Sequence, residues 1–131
     1  MLGTMASLRF SILSGAWAVA RLPAGDPVPA WAAGRSGFSS VTRTPDELSI
    51  VCPAEAVPAD ARAERGWAVL KLHGPFAFDQ TGILASVARP LAAAGIAIFA
   101  VSTFDTDYVL VKSADLDSAL QALAAAGHVR E

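Results

Sequence analysis

The sequence predicts an α+β fold built from two related units, and three observations carry that prediction. Residues 76–111, FAFDQTGILASVARPLAAAGIAIFAVSTFDTDYVLV, read as loop, helix, strand, turn, strand. A second turn, Thr44-Pro45-Asp46-Glu47, separates two more strand-like runs in the first half of the chain. Shifting the chain by 60 residues lays the first hairpin stretch, VTRTPDELSIV, over the second, VSTFDTDYVLV.

Taken in order, residues 8–13 (LRFSIL) alternate as a strand, Ser14-Gly15 form a turn, and residues 17–22 (WAVARL) form a second strand expected to pair with the first or lie beside it. Pro23, Pro27 and Pro29 with Gly25, Gly34 and Gly37 leave residues 23–37 room only for a short helical turn near residues 30–33, anchored by Trp31. Residues 38–43 and 48–52 make the first hairpin. Residues 53–66, alanine-rich and punctuated by Pro53 and Pro58, read as the link between halves, with at most a short exposed helix over 59–65. Residues 67–73 (WAVLKLH) are a strand closed by Gly74-Pro75.

The long helix follows. Ile83, Leu84, Val87 and Leu91 recur at helical spacing, and Ala94-Gly95 stops them. Ile96 to Ser102 and Asp107 to Val111 then form a strand pair across residues 103–106. Ser113 stands where an N-cap belongs, Asp115 and Asp117 fall in a first turn where the helix dipole favours them, and Leu116, Leu120 and Leu123 share one face. Gly127 ends that helix, and residues 128–131 close the chain as a short strand.

The offset of 60 pairs Val41 with Val101, Thr42 with Ser102, Glu47 with Asp107 and Ile50 with Leu110. Upstream an offset of 50 lays WAVARL, from Trp17, over WAVLKL, from Trp67. The ten-residue difference is the length by which a first helix would be shortened to a turn, so the chain reads as two copies of one unit. Trp17 and Trp67 are then equivalent packing residues.

The order GILASVARPLAAAGI, FAVST, DYVLV resembles an ACT domain, a small ferredoxin-like module that binds amino acids and regulates metabolic enzymes. STFDTDYVLV is similar to the branch of tandem bacterial ACT proteins that resemble the regulatory domains of aspartate kinases and eukaryotic arginine sensors. The resemblance implies tandem ferredoxin-like units with an antiparallel β-sheet, helices on one face and a shortened helix in the first unit. The units are placed at residues 1–66 and 67–131, sharing strands in one compact body.

Composition narrows the function. In 131 residues, 53% are hydrophobic and 17% charged, enough apolar content to fold and bury a core. Charges interrupt every apolar stretch before about 18 residues, so no membrane span is expected. The start, with Arg9 ahead of an apolar run to Ala20, reads as strands rather than a leader, and Met5 is a second candidate start. A net charge of −2 with scattered Lys and Arg argues against nucleic acid. The single cysteine, Cys52, suits a reducing cytoplasm, and its apolar neighbours predict an inert thiol. No cofactor motif, zinc spacing or nucleophile with a base beside it occurs, so neither a metal site nor an enzyme is expected. His73 and His128 read as turn or surface residues.

An α-amino acid needs donors for its carboxylate, acceptors for its ammonium group and a pocket for its side chain. The turn Asp79, Gln80, Thr81, Gly82, Ile83 and Leu84 opens a helix whose unpaired amides suit the first need. Asp107, with the carbonyls around Ser102 and Thr103, suits the second, and Phe104 walls the pocket. The resemblance implies a ligand held between that loop and a neighbouring ACT copy, which brings in Thr42, Arg43 and Glu47. The plainer alternative is that Asp79 and Thr81 only cap the helix and that Asp105 and Asp107 only close a turn. The expected function is therefore a non-catalytic amino-acid or small-metabolite sensor, acting through a homo-oligomer or a regulated protein partner by population shift. The alternative is a structural or oligomerising module that covers an exposed sheet edge.

Overall fold

A computed structural model describes residues 7–32, 37–77 and 80–131. Among the described residues there are eight strands and two α-helices, and the chain divides into two units: residues 1–14 with 68–131, and residues 15–67. The first strand therefore groups with the C-terminal half of the sequence. Antiparallel pairings dominate both units, as the α+β expectation requires.

The larger unit carries β1 (Arg9–Ile12), the second half of β5 (Ala63–Leu72), α1 (Ile83–Ala93), β6 (Ile98–Ser102), β7 (Asp107–Lys112), α2 (Leu116–Ala125) and β8 (Val129–Arg130). Its strand order is β8-β1-β5-β7-β6. β1 lies antiparallel to β5, with Phe10 opposite Leu72, and parallel to β8. Residues 8–13 were expected beside residues 17–22. Instead the strand joins β5 and β8, which gives Leu8 and Phe10 a face of the larger core to bury.

That core follows from period-two alternation. Leu8 and Phe10, then Ala68, Leu70 and Leu72, then Val109 and Val111 all point to one face, and Val87 and Leu91 of α1 with Ala119 and Leu123 of α2 cover it. Both helices thus share one face of the sheet. Gly95, at φ +76°, ends α1, and the Ile96 amide reaches back to the Leu91 carbonyl at 2.9 Å. α2 is entered through a 3-10 turn at Ser113–Asp115, so Ser113 opens that turn and Asp115 precedes the α-helix.

The smaller unit comprises β2 (Trp17–Leu22), a 3-10 turn at Ala30–Ala32, β3 (Ser40–Arg43), β4 (Leu48–Pro53), a second 3-10 turn at Ala54–Ala56 and the start of β5. Its strand order is β3-β4-β2-β5. Ala18, Ala20, Leu48, Ile50 and Cys52 form its core with Ala32, Ala56 and Val57, and Trp31 packs against them. Cys52 is fully buried, and the Trp17 indole donates to the Phe38 carbonyl at 3.1 Å. Trp17 and Trp67 are not only alike in sequence but face each other across the β2–β5 pairing.

Two readings need correction. The short helix expected over residues 59–65 is absent, because β5 already begins at Ala63 and pairs with β2 from there. Both helices of the smaller unit, not one, are reduced to three-residue turns. Where α2 would run, the Arg65 guanidinium donates to the carbonyls of Ala54, Val57 and Pro58 and closes the turn instead. The hairpins also align by 59 residues rather than 60. Arg43 faces Leu48 as Ser102 faces Asp107, and the turns Thr44 to Glu47 and Thr103 to Thr106 match residue for residue.

Leu91 is fully buried between helix and sheet. Leu91→Ala should lower stability by about 2–5 kcal/mol in urea titration, the usual cost of such a cavity.

Candidate functional site

The site is built from two loops of the larger unit that the chain stitches together. Beyond Leu72, the Phe76 amide donates to the Asp105 carbonyl at 2.8 Å, and the Thr106 hydroxyl donates to the Leu72 carbonyl at 2.7 Å. Gly74 passes so close that a Cβ there would sit 2.7 Å from the Asp105 oxygen and 3.2 Å from the Thr106 Cβ. Only glycine allows this approach.

The hairpin side is fixed by its own threonine. The Thr103 amide donates to the Thr106 carbonyl at 2.8 Å, while the Thr103 hydroxyl bonds both that carbonyl and the Thr106 amide. One residue back on each strand, the Ser102 hydroxyl donates to Asp107 Oδ1. The opposite loop is closed by the Gln80 amide on the Ala77 carbonyl at 3.0 Å and by the Ala77 amide on Gln80 Oε1 at 2.7 Å.

Between them lies a cleft of about 210 Å³, lined by Phe76, Ala77, Gln80, Ile83 and residues 102–107. One end is the N-terminus of α1. Its N-cap is Gly82 at φ +79°, which makes no side-chain capping bond. The first helical bond comes from Ser86 to the Gly82 carbonyl at 2.9 Å, and among the described residues no side chain caps the amides before it. The hairpin side carries Asp105 and Asp107, with Phe104 exposed beside them. The cleft therefore has a donor-rich end favouring an anion and an acidic end favouring a cation.

Six residues expected from sequence meet here: Gln80, Ile83, Ser102, Thr103, Phe104 and Asp107. Gly82 supplies the uncapped helix end, Thr81 is exposed beside it, and Leu84 packs against the core. Asp79 lies outside the described residues. Thr42, Arg43 and Glu47 belong to the smaller unit, where the Arg43 guanidinium donates to the Ala24 carbonyl and the Glu47 amide to the Thr44 hydroxyl. Phe76, Ala77, Asp105 and Thr106 were not placed at the site from sequence. Their signal was slight, since a residue after Gly-Pro and a turn threonine both read as punctuation.

His128 departs most from expectation. It is buried rather than a surface residue, and both its ring nitrogens are bonded. His73 is half-buried and its Nε2 meets the Ser11 hydroxyl. Among the described residues no three His, Cys, Asp or Glu side chains gather as metal ligands, and no helix is long and apolar enough to cross a membrane.

The larger unit is a small ferredoxin-like module with a cleft at the mouth of its first helix. Residues 62–125 match the family model of the ACT domain, and that part of the chain is an ACT domain. Residues 15–60 match a second model, for an N-terminal domain. The human cytosolic arginine sensor for mTORC1 subunit 1 is 40% identical over 84 residues, which is 58% of this chain and 26% of the sensor. The chain thus spans about a quarter of the length of the arginine-sensor relatives it matches. A crystal structure of a protein from Agobacterium tumefaciens is 51% identical with a TM-score of 0.90, covering 96% of this chain and 93% of that one. The regulatory subunit of aspartate kinase from Thermus thermophilus shares the fold at 14% identity, with a TM-score of 0.63 over 89% of this chain and 96% of its own. By their names, the first of these relatives is an arginine sensor and the last a regulatory subunit.

Thr106→Val removes the donor to Leu72 at a buried position while keeping the shape. It should cost about 1–3 kcal/mol in stability, since the Leu72 carbonyl is left without that bond. Amide exchange should rise at residues 103–106 and 76 before it rises at Leu70.

Proposed function

We propose that this chain is an amino-acid-sensing module that binds one free amino acid in the cleft between the α1 mouth and the Ser102 to Asp107 hairpin. The observation that carries the reading is a helix N-terminus that no described side chain caps, sharing a cleft of about 210 Å³ with Asp105 and Asp107. Amides at Ile83 and Leu84 suit an α-carboxylate, and Asp107, already oriented by Ser102, suits an ammonium group. Drug-sized sites run to roughly 300–1,000 Å³, so this volume fits a small metabolite better. Asp105 and Phe104 at the rim favour a ligand with a second cationic group, by charge and by ring contact. The arginine-sensor relatives make L-arginine the first ligand to test.

The signal would be a population shift. A ligand bridging the Gln80 to Ile83 loop and the hairpin favours the conformation in which both are held together. The output passes to a second copy or to a regulated protein partner, in the cytoplasm.

A thermal-shift screen of the twenty amino acids tests the reading. At a hundredfold excess over Kd the bound ligand should add about 2.7 kcal/mol of stability, a Tm rise of several degrees. Asp107→Ala should abolish that rise while leaving the unliganded Tm within a few degrees. A screen in which no amino acid moves the wild-type Tm would favour a module that works by protein contact alone.

A further inference from the structure

The first turn of α1, which frames the cleft, contains a defect written into the sequence. Pro90 sits inside the helix and has no amide hydrogen, so the carbonyl of Ser86, four residues earlier, loses its normal partner. Ser86 is buried, and a buried carbonyl with no donor is costly. The carbonyl is nevertheless paired, because His128 Nε2 lies 2.7 Å from it.

The ring's other nitrogen fixes which tautomer is present. The Leu8 amide lies 3.1 Å from His128 Nδ1, and an amide can only donate, so Nδ1 is the acceptor. The proton therefore sits on Nε2, the form needed to donate to Ser86, whose carbonyl can only accept. His128 is held in turn by its own amide on the Leu123 carbonyl at 3.0 Å, while the Ser86 hydroxyl donates to Ile83, a residue of the cleft wall. The imidazole thus ties Leu8, at the entry to β1, to the first turn of α1, and the backbone of the same residue is fixed to the end of α2.

We infer that His128 is the positioning residue of the cleft: it supplies the hydrogen bond that Pro90 withholds and so fixes the helix mouth to which a ligand would bind. This rests on the proposed reading only in calling that mouth a ligand site. The tie itself is read out without any ligand.

The test separates the two bonds. In His128→Asn, the side-chain oxygen occupies the place of Nδ1 and keeps the Leu8 amide, but nothing reaches Ser86. In His128→Gln, the amide nitrogen occupies the place of Nε2 and keeps the Ser86 carbonyl. Hydrogen exchange of the full chain should be faster at residues 83–88 by on the order of tenfold in the Asn variant, the effect of leaving a buried carbonyl unpaired, and clearly less in the Gln variant. Pro90→Ala restores an amide to Ser86, so in that background His128→Asn should change exchange at 83–88 by no more than about twofold. Should His128→Asn alone fail to fold, the double variant with Pro90→Ala should recover the fold. Equal exchange in the Asn and Gln variants, or an Asn effect that Pro90→Ala does not reduce, overturns the assignment. A wild type with no L-arginine thermal shift, alongside the expected exchange pattern in the variants, would count against the ligand reading and not against the tie.

Discussion

The cleft exists because the turn after β6 is fastened to the chain leaving β5. Two bonds do this, Thr106 to the Leu72 carbonyl and Phe76 to the Asp105 carbonyl, and Gly74 gives them room. Were the turn free, Ser102, Phe104 and Asp107 would sit on a mobile hairpin tip and could not present one geometry to the helix mouth. Fastened, they form one wall whose position is set by the core strand β5, which buries Ala68, Leu70 and Leu72 beneath the helices. Rigid support beneath a loop-built site is what lets a small cleft discriminate among ligands at low entropic cost.

The two units show what that arrangement needs. Their hairpin turns use the same threonine chemistry: the Thr44 amide meets the Glu47 carbonyl at 2.9 Å, and the Thr103 amide meets the Thr106 carbonyl at 2.8 Å. Each second strand then enters a 3-10 turn, at Ala54–Ala56 and at Ser113–Asp115. Among the described residues, only in the larger unit does that turn continue into α2, and only there does an eleven-residue helix follow a strand, β5. In the smaller unit the corresponding turns are three residues long, and Trp31 with Arg65 takes over the covering and capping that helices would supply. A helix mouth with a usable dipole requires several turns of aligned peptides, which the described residues of the smaller unit do not build.

Much of this was legible in the sequence because it depends on local pattern. The spacing of Ile83, Leu84, Val87 and Leu91 gave α1 with a Gly95 stop, and the polar turns gave both hairpins. Six of the cleft residues followed from asking where amides and carboxylates could face one another. What sequence could not give was long-range pairing. Strand Arg9–Ile12 sits between β5 and β8 through contacts with residues some sixty or more positions away, and no local alternation specifies the partner of a strand. The hairpin offset erred by one residue for a related reason. Matching valines by identity ignores that the turns, with Thr44 and Thr103 at their first positions, set the register. His128 was misjudged because a histidine after a terminal glycine looks exposed. Its burial depends on Leu8 and Ser86, neither near it in sequence.

That no described side chain caps α1 bears on which reading of the site is stronger. Had Thr81 capped the helix, the acidic and hydroxyl residues there would be explained by helix stability alone. Instead the cap position is Gly82 in a left-handed conformation, which offers no side-chain oxygen and forgoes roughly a few tenths of a kcal/mol relative to Ser, Thr or Asp. A helix that also carries an internal proline gives up further stability. Together these choices make the front of α1 weak in isolation and dependent on what meets it, from His128 behind and from the cleft in front. An element of low intrinsic stability responds most to a bound anion, because the ligand supplies bonds that the helix itself leaves unmade.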